Sequence, residues 1–143
     1  MIKKIYMAGC GGMLGEAFYK IFSSNYILKC SDIDVNDNWL SYLDFRDYDK
    51  YKKSVLEFKP NYLFHIGAFT DLEYCEKNPQ NTKITNTDSV KHAVSIANDL
   101  NVYTQTIGKV TNDGCLKIND MIDLSRKKLY DAYFNSLEQI MDQ

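Results

Sequence analysis

Apolar positions follow two alternating periods along the first two thirds of the chain. A β-prone apolar run covers residues 2–8, and apolar side chains then recur at helical spacing from Met13 to Phe22. Residues 26–30 (YILKC) form a second β-prone run. This order predicts a strand, a tight turn, a helix and a second strand, which together make a βαβ unit.

The alternation continues as far as residue 107. Residues 39–45 (WLSYLDF) and 62–68 (YLFHIGA) predict a third and a fourth strand, with Asp47 placed to cap a helix between them. A helix is predicted over about residues 85–101, and the β-prone residues 102–107 (VYTQTI) predict a fifth strand. The buried face of that helix is predicted to carry Val90, Ala93, Val94, Ala97 and Leu100. We therefore expect an α/β fold with a doubly wound parallel sheet of the Rossmann type.

The pattern changes after Thr106. Residues 110–116 hold Asn-Asp-Gly between β-prone residues, which predicts a small hairpin. A final amphipathic helix after Asp120 is predicted from Ile122, Leu129, Tyr133, Leu137 and Ile140 or Met141. We expect a nucleotide-binding Rossmann domain over residues 1–108, with the hairpin and capping helix of residues 109–143 belonging to the same domain.

Composition narrows the classes of protein. The 143 residues are 45% hydrophobic, enough for one globular core, and 17 basic against 19 acidic residues make nucleic acid an unexpected partner. The four cysteines are too widely spaced for zinc or thioredoxin-like sites, so we expect reduced, packed thiols in a cytoplasmic protein. The first apolar run is too short for a secretory signal, and no run of about 18 apolar residues predicts a membrane span.

Three glycines stand between the first predicted strand and helix, in residues 7–15 (MAGCGGMLG). A tight turn at Gly9, close phosphate approach at Gly12 and helix packing at Gly15 would together form a pyrophosphate site at a helix N-terminus. An ordinary glycine-rich turn is the alternative. A weaker alternative is an S-adenosylmethionine-dependent methyltransferase. Gly9 and Gly11 would match the Gly-x-Gly sequence that begins the glycine loop of such enzymes.

An acidic residue near the end of the second strand is expected to bind the adenosine ribose of a dinucleotide. Asp32 and Asp34 are both candidates, and Asp32 is nearer the strand end. A carboxylate there would repel a 2′-phosphate and favour NAD over NADP, although Lys29 weakens the preference. The alternative is that Asp32 only begins a polar loop. No metal site is predicted, because residues 32–37 lack the glycine of a calcium loop.

Several motifs in order carry a family resemblance: GCGGMLG, LDFRD, KPNYLFHIGAFTDLEYCEKNP and the region around Asn86. From about Ile2 to Gly108 the chain resembles the extended short-chain dehydrogenase/reductase family, most closely its dTDP-4-dehydrorhamnose reductase-like branch. The resemblance implies an NAD or NADP cofactor and a nucleotide-sugar substrate. It implies cofactor contacts from Gly9, Gly12, Met13, Leu14, Gly15, Asp32, Asp44, Phe45, Gly67, Ala68 and Phe69.

The same resemblance implies an incomplete catalytic set. Thr106 matches the hydroxyl that holds the substrate carbonyl, but the family's Tyr-x-x-x-Lys pair, which exchanges a proton with the substrate oxygen, is not found after it. The only such pair is Tyr48 and Lys52. Tyr130 is the best downstream substitute, with Phe134 where the lysine is expected. His65 stands where relatives carry Asn or His, and a packed strand histidine is its plainer interpretation.

Two functions remain open at this point. One is a nucleotide-sugar oxidoreductase that is incomplete for catalysis alone, and the other is a non-catalytic nucleotide-binding subunit with a regulatory or scaffold role. Family members continue into a substrate domain, so apolar surface that it covers is expected to be exposed here. That exposure predicts a homodimer or a partner protein, with the final helix as a contact.

Overall fold

The computed structural model describes residues 2–135. Its strands are Lys4–Ala8 (β1), Ile27–Asp32 (β2), Leu40–Tyr42 (β3), Tyr62–His65 (β4), Cys115–Ile118 (β5) and Ile122–Ser125 (β6). Its α-helices are Met13–Phe22 (α1), Tyr48–Phe58 (α2), Leu72–Lys77 (α3), Pro79–Lys83 (α4), Ser89–Asp99 (α5) and Arg126–Phe134 (α6). A π-helical turn, Ile84–Asp88, joins α4 to α5. The chain divides into two compact units, residues 1–104 and residues 105–143, so membership of one domain stays a prediction.

The first unit is built on a parallel sheet with strand order β3-β2-β1-β4. β1 lies in the middle, where Met7 pairs with Cys30 of β2 on one side and with Phe64 of β4 on the other. Helix α1 crosses from β1 to β2 and α2 crosses from β3 to β4, whereas residues 33–39 join β2 to β3 without a helix. The predicted Rossmann-type doubly wound fold is confirmed.

Both faces of the sheet are covered, which explains the unbroken apolar run over residues 5–8 of β1. Tyr6 and Ala8 pack against α2 and α5, in a cluster with Tyr51, Val55 and Ile96. On the opposite face, Ile5 and Met7 pack with Cys10, Cys30 and Leu40, and aromatic side chains of α1 pack against them. A strand buried on both sides has no polar face to alternate with.

The cap predicted at Asp47 is present and fixes where α2 begins. The Asp47 carboxylate accepts a hydrogen bond from the backbone N–H of Lys50, at 3.2 Å. Lys59, with φ of 51°, ends the helix in the left-handed conformation just before Pro60. The following chain therefore leaves the helix at the position from which β4 can pair with β1.

The predicted fifth strand is wrong. Residues 102–110 contain no helix or strand, and most of their side chains are exposed. β-propensity only describes side chains that suit a pleated surface, and a strand exists only where a neighbour pairs with it. Within the described residues, the parallel sheet ends at β4.

The predicted inner face of α5 is also partly wrong. Ala93 and Ala97 are buried, but Val90 and Val94 are exposed, and Ile96 takes their place in the core. The buried face runs through Ser89, Ala93, Ile96 and Ala97. Packing against the sheet therefore decides which side of α5 is buried, and the apolar stripe alone does not.

The second unit contains the hairpin of β5 and β6 followed by α6. The hairpin turns at residues 119–121, where Asn119 has φ of 48°, and its strands pair from Cys115 opposite Ser125 to Ile118 opposite Ile122. The prediction of a hairpin at residues 110–116 is therefore wrong in position. Asp113 instead accepts hydrogen bonds from the Thr111 hydroxyl and the Cys115 N–H, forming a local turn before β5.

The last helix begins later than predicted. Ser125 caps α6 by accepting from the Lys128 N–H, and Ile122, predicted on the helix, lies in β6. Leu129 and Tyr133 are on α6 as predicted. Leu137, Ile140 and Met141 lie outside the described residues.

The cysteines match their prediction only in part. All four are free thiols; Cys10 and Cys30 are buried and Cys75 is half-buried, but Cys115 is exposed on β5 instead of packed. Across residues 2–135, no helix is both long and apolar enough to cross a membrane.

Candidate functional site

A cavity of about 630 Å³ opens at the carboxyl ends of β1, β2 and β4 in the first unit. This is where ligands bind in open α/β sheets, since the strand order reverses between β1 and β4. All eleven residues for which the resemblance implies cofactor contacts line this cavity. Their use as cofactor contacts stays a prediction, but the fold brings them together from four separate loops.

Gly9 makes the sharp turn that leaves β1. Its φ of +73° is a left-handed value, and its N–H donates to the Ser31 carbonyl at 2.8 Å. A Cβ on Gly9 would overlap the Cα of Gly67 and stand 2.5 Å from the Gly67 nitrogen. Position 9 therefore requires glycine for two reasons, the left-handed backbone conformation and the close approach of the loop after β4.

The other two predicted glycines differ in what surrounds them. A Cβ on Gly15 would overlap the Cys10 carbonyl and lie 2.5 Å from the Cys10 carbonyl carbon, so α1 packs directly on the loop. A Cβ on Gly12 would meet nothing within 4 Å. Gly12 is the N-cap of α1 and has no side-chain cap, so the helix N-terminus faces the cavity without a blocking group. The residues present fit a pyrophosphate at this position.

Asp32 holds the glycine loop as well as lining the cavity. Its Oδ2 accepts from the Gly11 N–H at 2.8 Å, and its Oδ1 accepts from the Asp34 N–H at 3.1 Å. A Cβ on Gly11 would lie 2.9 Å from the Asp32 Cγ. Gly11 is not among the predicted dinucleotide contacts, because its hydrogen bond joins positions 21 residues apart and follows no local rule.

Asp44 is paired with a residue that the sequence analysis did not single out. The Arg46 guanidinium donates to both oxygens of Asp44, with Nε 2.8 Å from Oδ1 and Nη2 2.7 Å from Oδ2. These hydrogen bonds hold the pKa of the Asp44 carboxyl below its usual range. Arg46 also lines the cavity. The LDFRD motif contains both residues, so the i, i+2 spacing of opposite charges was the available signal.

The loop after β4 is fixed by Asn86. The Asn86 side chain accepts from the Phe69 N–H at 2.8 Å and donates to the Phe69 carbonyl at 2.9 Å. Phe45 packs over Gly67, where a Cβ would overlap its ring. These contacts hold Gly67, Ala68 and Phe69 along one wall of the cavity.

His65 is a packed histidine next to the cavity wall. Its Nδ1 is 3.3 Å from the Tyr51 hydroxyl and its Nε2 is 3.0 Å from the Ser89 hydroxyl. Burial, followed by the charge of His92, lowers the pKa of His65 to about 4, so the ring is neutral near pH 7. Both ring nitrogens have partners in the core, and His65 does not line the cavity. This environment favours the plainer interpretation.

The catalytic candidates lie in the second unit. Thr106 is exposed in the segment without regular structure, and Tyr130 is 57% exposed on α6, with its ring 4.5 Å from that of Phe134. Phe134 stands four residues after Tyr130, where the family's pair would require a lysine. Their catalytic roles stay predictions.

The early Tyr-x-x-x-Lys pair has a structural use. The Lys52 Nζ is 3.5 Å from the Tyr48 hydroxyl and 2.7 Å from an Asp99 oxygen, and the Tyr48 ring packs 5.1 Å from that of His92. These contacts join α2 to α5. Neither Tyr48 nor Lys52 lines the cavity.

A comparison with known protein families identifies the family to which the chain belongs. Residues 3–105 match the RmlD substrate binding domain family, which is most of the chain. The chain belongs to this family. Membership confirms the resemblance to dTDP-4-dehydrorhamnose reductases and relates the chain to nucleotide-sugar reductases and dehydratases.

Known relatives of this RmlD family member are much longer than the chain. The CDP-glucose 4,6-dehydratase of Salmonella typhimurium is 27% identical over 109 residues, covering 73% of this chain and 30% of the relative. A hypothetical dTDP-4-dehydrorhamnose reductase from Sulfolobus tokodaii has a TM-score of 0.65 at 19% identity, covering 71% of this chain and 37% of that protein. The dTDP-4-dehydrorhamnose reductase of Bacillus anthracis, in complex with NADP, has a TM-score of 0.62 at 17% identity, covering 71% and 34%. The chain spans about a third of the length of these relatives.

Proposed function

We propose that this chain binds a nicotinamide dinucleotide in the cavity above β1. The observation that carries the proposal is Gly12, which stands at the uncapped N-terminus of α1 with open space where a side chain would be. Free backbone N–H groups and the positive end of a helix suit a pyrophosphate. The Bacillus anthracis relative binds NADP, which supports this class of ligand.

The charges around the cavity favour NAD slightly over NADP. Asp32 and Asp34 both line it, and their carboxylates would repel a 2′-phosphate. Arg46 is the one cationic side chain among the lining residues that the structure describes, and Asp44 occupies its Nε and Nη2. Lys29 does not line the cavity, since its Nζ lies 5.7 Å from the centre of the Tyr6 ring.

The proposed activity is that of a nucleotide-sugar oxidoreductase of the dTDP-4-dehydrorhamnose reductase type. The dinucleotide, when bound, supplies or accepts the hydride. The first unit's residues bind and orient it: α1 holds the pyrophosphate, Asp32 the adenosine ribose, Asp44 and Phe45 the adenine, and Gly67 to Phe69 the wall beyond. Proton transfer to the substrate oxygen is the step for which the chain offers no paired group, so we expect no turnover by the chain alone.

A second candidate is a non-catalytic nucleotide-binding subunit that acts on a partner protein or as a homodimer. The placement of Tyr48 and Lys52 favours it, because the only Tyr-x-x-x-Lys pair is used in packing α2 against α5. Light scattering of the purified chain at high micromolar concentration tests the expected association. A monomer under those conditions would contradict the homodimer.

The deciding experiment is calorimetric titration of the chain with NADH and with NADPH. We expect saturable binding of NADH, weaker binding of NADPH, and loss of both in Gly12→Val. The valine would stand in open space and leave the fold intact while occupying the pyrophosphate position. Gly108→Val is the matched control, because a Cβ there also meets nothing within 4 Å and Gly108 does not line the cavity.

The outcomes separate the candidates. Binding that survives in Gly108→Val and is lost in Gly12→Val supports the dinucleotide site. Turnover of a nucleotide-sugar by the chain alone would reject the non-catalytic candidate, and it would also contradict the expectation that the oxidoreductase is incomplete without a further proton-transfer group. If the wild-type chain binds neither dinucleotide, the glycines serve only the fold and the proposed function is wrong.

A further inference from the structure

One buried hydroxyl group at the cavity lacks a hydrogen-bond partner. Thr85 is 4% exposed and lines the cavity, yet its Oγ1 has no partner among the described residues. An unpaired buried hydroxyl destabilises a folded protein, because the group loses water and gains nothing in return. His92 Nδ1 is the other such side-chain atom within residues 2–135, and His92 does not line the cavity.

The neighbouring hydroxyls on the same helical segment are satisfied. Thr82 Oγ1 donates to the Asn78 carbonyl at 2.9 Å, the i−4 bond that helical threonines ordinarily make, and Ser89 donates to the Thr85 carbonyl. Thr85 lies between them, in the π-helical turn Ile84–Asp88, and its Oγ1 makes no such bond. Of these three hydroxyls, that of Thr85 alone is left without a partner among the described residues.

The turn holds Thr85 close to the ligand-facing loop. The next residue, Asn86, is tied to the Phe69 backbone by two hydrogen bonds, and Phe69 lines the same cavity. A threonine can exchange its hydroxyl and methyl positions by rotating about the Cα–Cβ bond, with no movement of the backbone. An acceptor atom in the cavity would supply the partner that the protein does not.

We propose that the Thr85 hydroxyl donates a hydrogen bond to the bound dinucleotide, which makes Thr85 a further ligand-contacting residue of this site. The inference rests on the proposed function and deepens it. It requires that removal of the hydroxyl have opposite effects on the two states of the chain. The ligand-free protein loses an unsatisfied group, and the complex loses a hydrogen bond.

The test compares Thr85→Val with Thr82→Val. Thermal unfolding is measured without ligand, and the Kd for NADH is measured by calorimetry. For Thr85→Val, of nearly the same shape, we expect an unfolding temperature at or above that of the wild type and a Kd about tenfold weaker. Thr82→Val removes a satisfied hydroxyl away from the cavity, so its unfolding temperature should fall while its Kd stays unchanged.

A second pair keeps the test valid if Thr85→Val does not fold. Thr85→Ser and Thr85→Ala both lose the methyl group, and only the serine retains the hydroxyl. The serine variant should bind NADH several times more tightly than the alanine variant. Equal affinities of the two, or a Thr85→Val affinity within twofold of the wild type, would overturn the inference while leaving the proposed function intact. A wild-type chain that binds neither NADH nor NADPH would overturn both.

Discussion

The two units of the chain differ in how much they bury. In the part of the chain that the structure describes, every fully buried side chain lies in residues 2–104, and residues 105–135 contain none. The first unit packs helices on both faces of its sheet, and its cavity is formed by loops that this core holds in place. The second unit is a hairpin and a helix whose side chains are half-buried at most.

This difference indicates which unit can hold binding or catalytic groups in a fixed geometry. Binding and catalytic groups act efficiently when their geometry is fixed by packing and by supporting hydrogen bonds. Asp32, Asp44 and Asn86 have such support in the first unit. Thr106 and Tyr130 are exposed side chains of the second unit. The contrast supports a binding function more strongly than a catalytic one.

The largest expected effect is that of Gly9→Ala. A methyl group at Gly9 would overlap the backbone of Gly67, and the left-handed φ of +73° adds strain. We expect the free energy of unfolding to fall by about 3 kcal/mol or more. Urea unfolding followed by fluorescence measures it, because the single tryptophan, Trp39, stacks on Tyr19 and reports on the first unit.

Gly114→Ala is the matched control for Gly9→Ala. Gly114 has nearly the same φ, +69°, but nothing lies within 4 Å of its Cβ position, and it belongs to the second unit. We expect only a local effect, about 1 kcal/mol of strain, with the Trp39 midpoint unchanged. If both variants lowered that midpoint equally, backbone conformation and not close approach would explain the requirement for glycine.

Ile96→Ala and Ile118→Ala test the contrast in packing directly. Ile96 is fully buried against the sheet and Ile118 is 44% exposed on β5. We expect Ile96→Ala to lower the free energy of unfolding by about 3 kcal/mol, by loss of burial and by the cavity it leaves. Ile118→Ala should change the Trp39 transition by less than about 0.5 kcal/mol. A comparable loss for Ile118→Ala would mean that the two units unfold as one.

The smallest effect concerns the pH dependence of the first unit. The pKa of His65 is about 4 in the folded chain against 6.5 unfolded, so between these values the unfolded chain binds more protons. The stability contributed above pH 6.5 is therefore lost as the pH falls towards 4. We expect the free energy of unfolding to decrease by about 1.5 kcal/mol between pH 6.5 and 5.

His65→Gln should abolish most of this decrease in the free energy of unfolding between pH 6.5 and 5, whatever its effect on stability at pH 7. His92→Gln should retain it, because the burial of His65 is the main cause of its low pKa. Both are measured by urea unfolding at pH 6.5 and pH 5, above the range in which carboxyl groups dominate. A His65→Gln variant with the wild-type slope would assign the pH dependence to other groups.

Features that depend on residues close together in sequence could be predicted, and features that depend on residues far apart in sequence could not. The Asp47 cap and the presence of α1 depend on residues within a few positions of each other, so a local pattern was sufficient. The apolar stripe did not locate the packed face of α1, since Met13, Leu14 and Ile21 are exposed while Phe18, Tyr19 and Phe22 pack against the core. The glycine loop could also be predicted from local sequence, since its strand, turn and helix are consecutive in the chain. The fifth strand could not, because pairing with β4 is decided by contacts that the segment itself does not contain.

The same reasoning explains the residues that were missed. The hydrogen bond from Gly11 to Asp32 spans 21 positions, and the clash that requires glycine at position 9 involves Gly67. Thr85 differs from Thr82 in that its hydroxyl has no acceptor among the described residues. No period or motif in the sequence carries these facts.

The sequence by itself determined the strand–glycine loop–helix unit and the α/β class, because apolar periodicity, caps and glycine requirements are local. Its family motifs also pointed to eleven of the residues that line the cavity. The tertiary structure alone decided that the sheet ends at β4 within the described residues, that Asp32 holds the glycine loop at Gly11, and that Gly67 comes close to Gly9. Those features arise where segments distant in sequence meet, and their energies depend on what each group finds there.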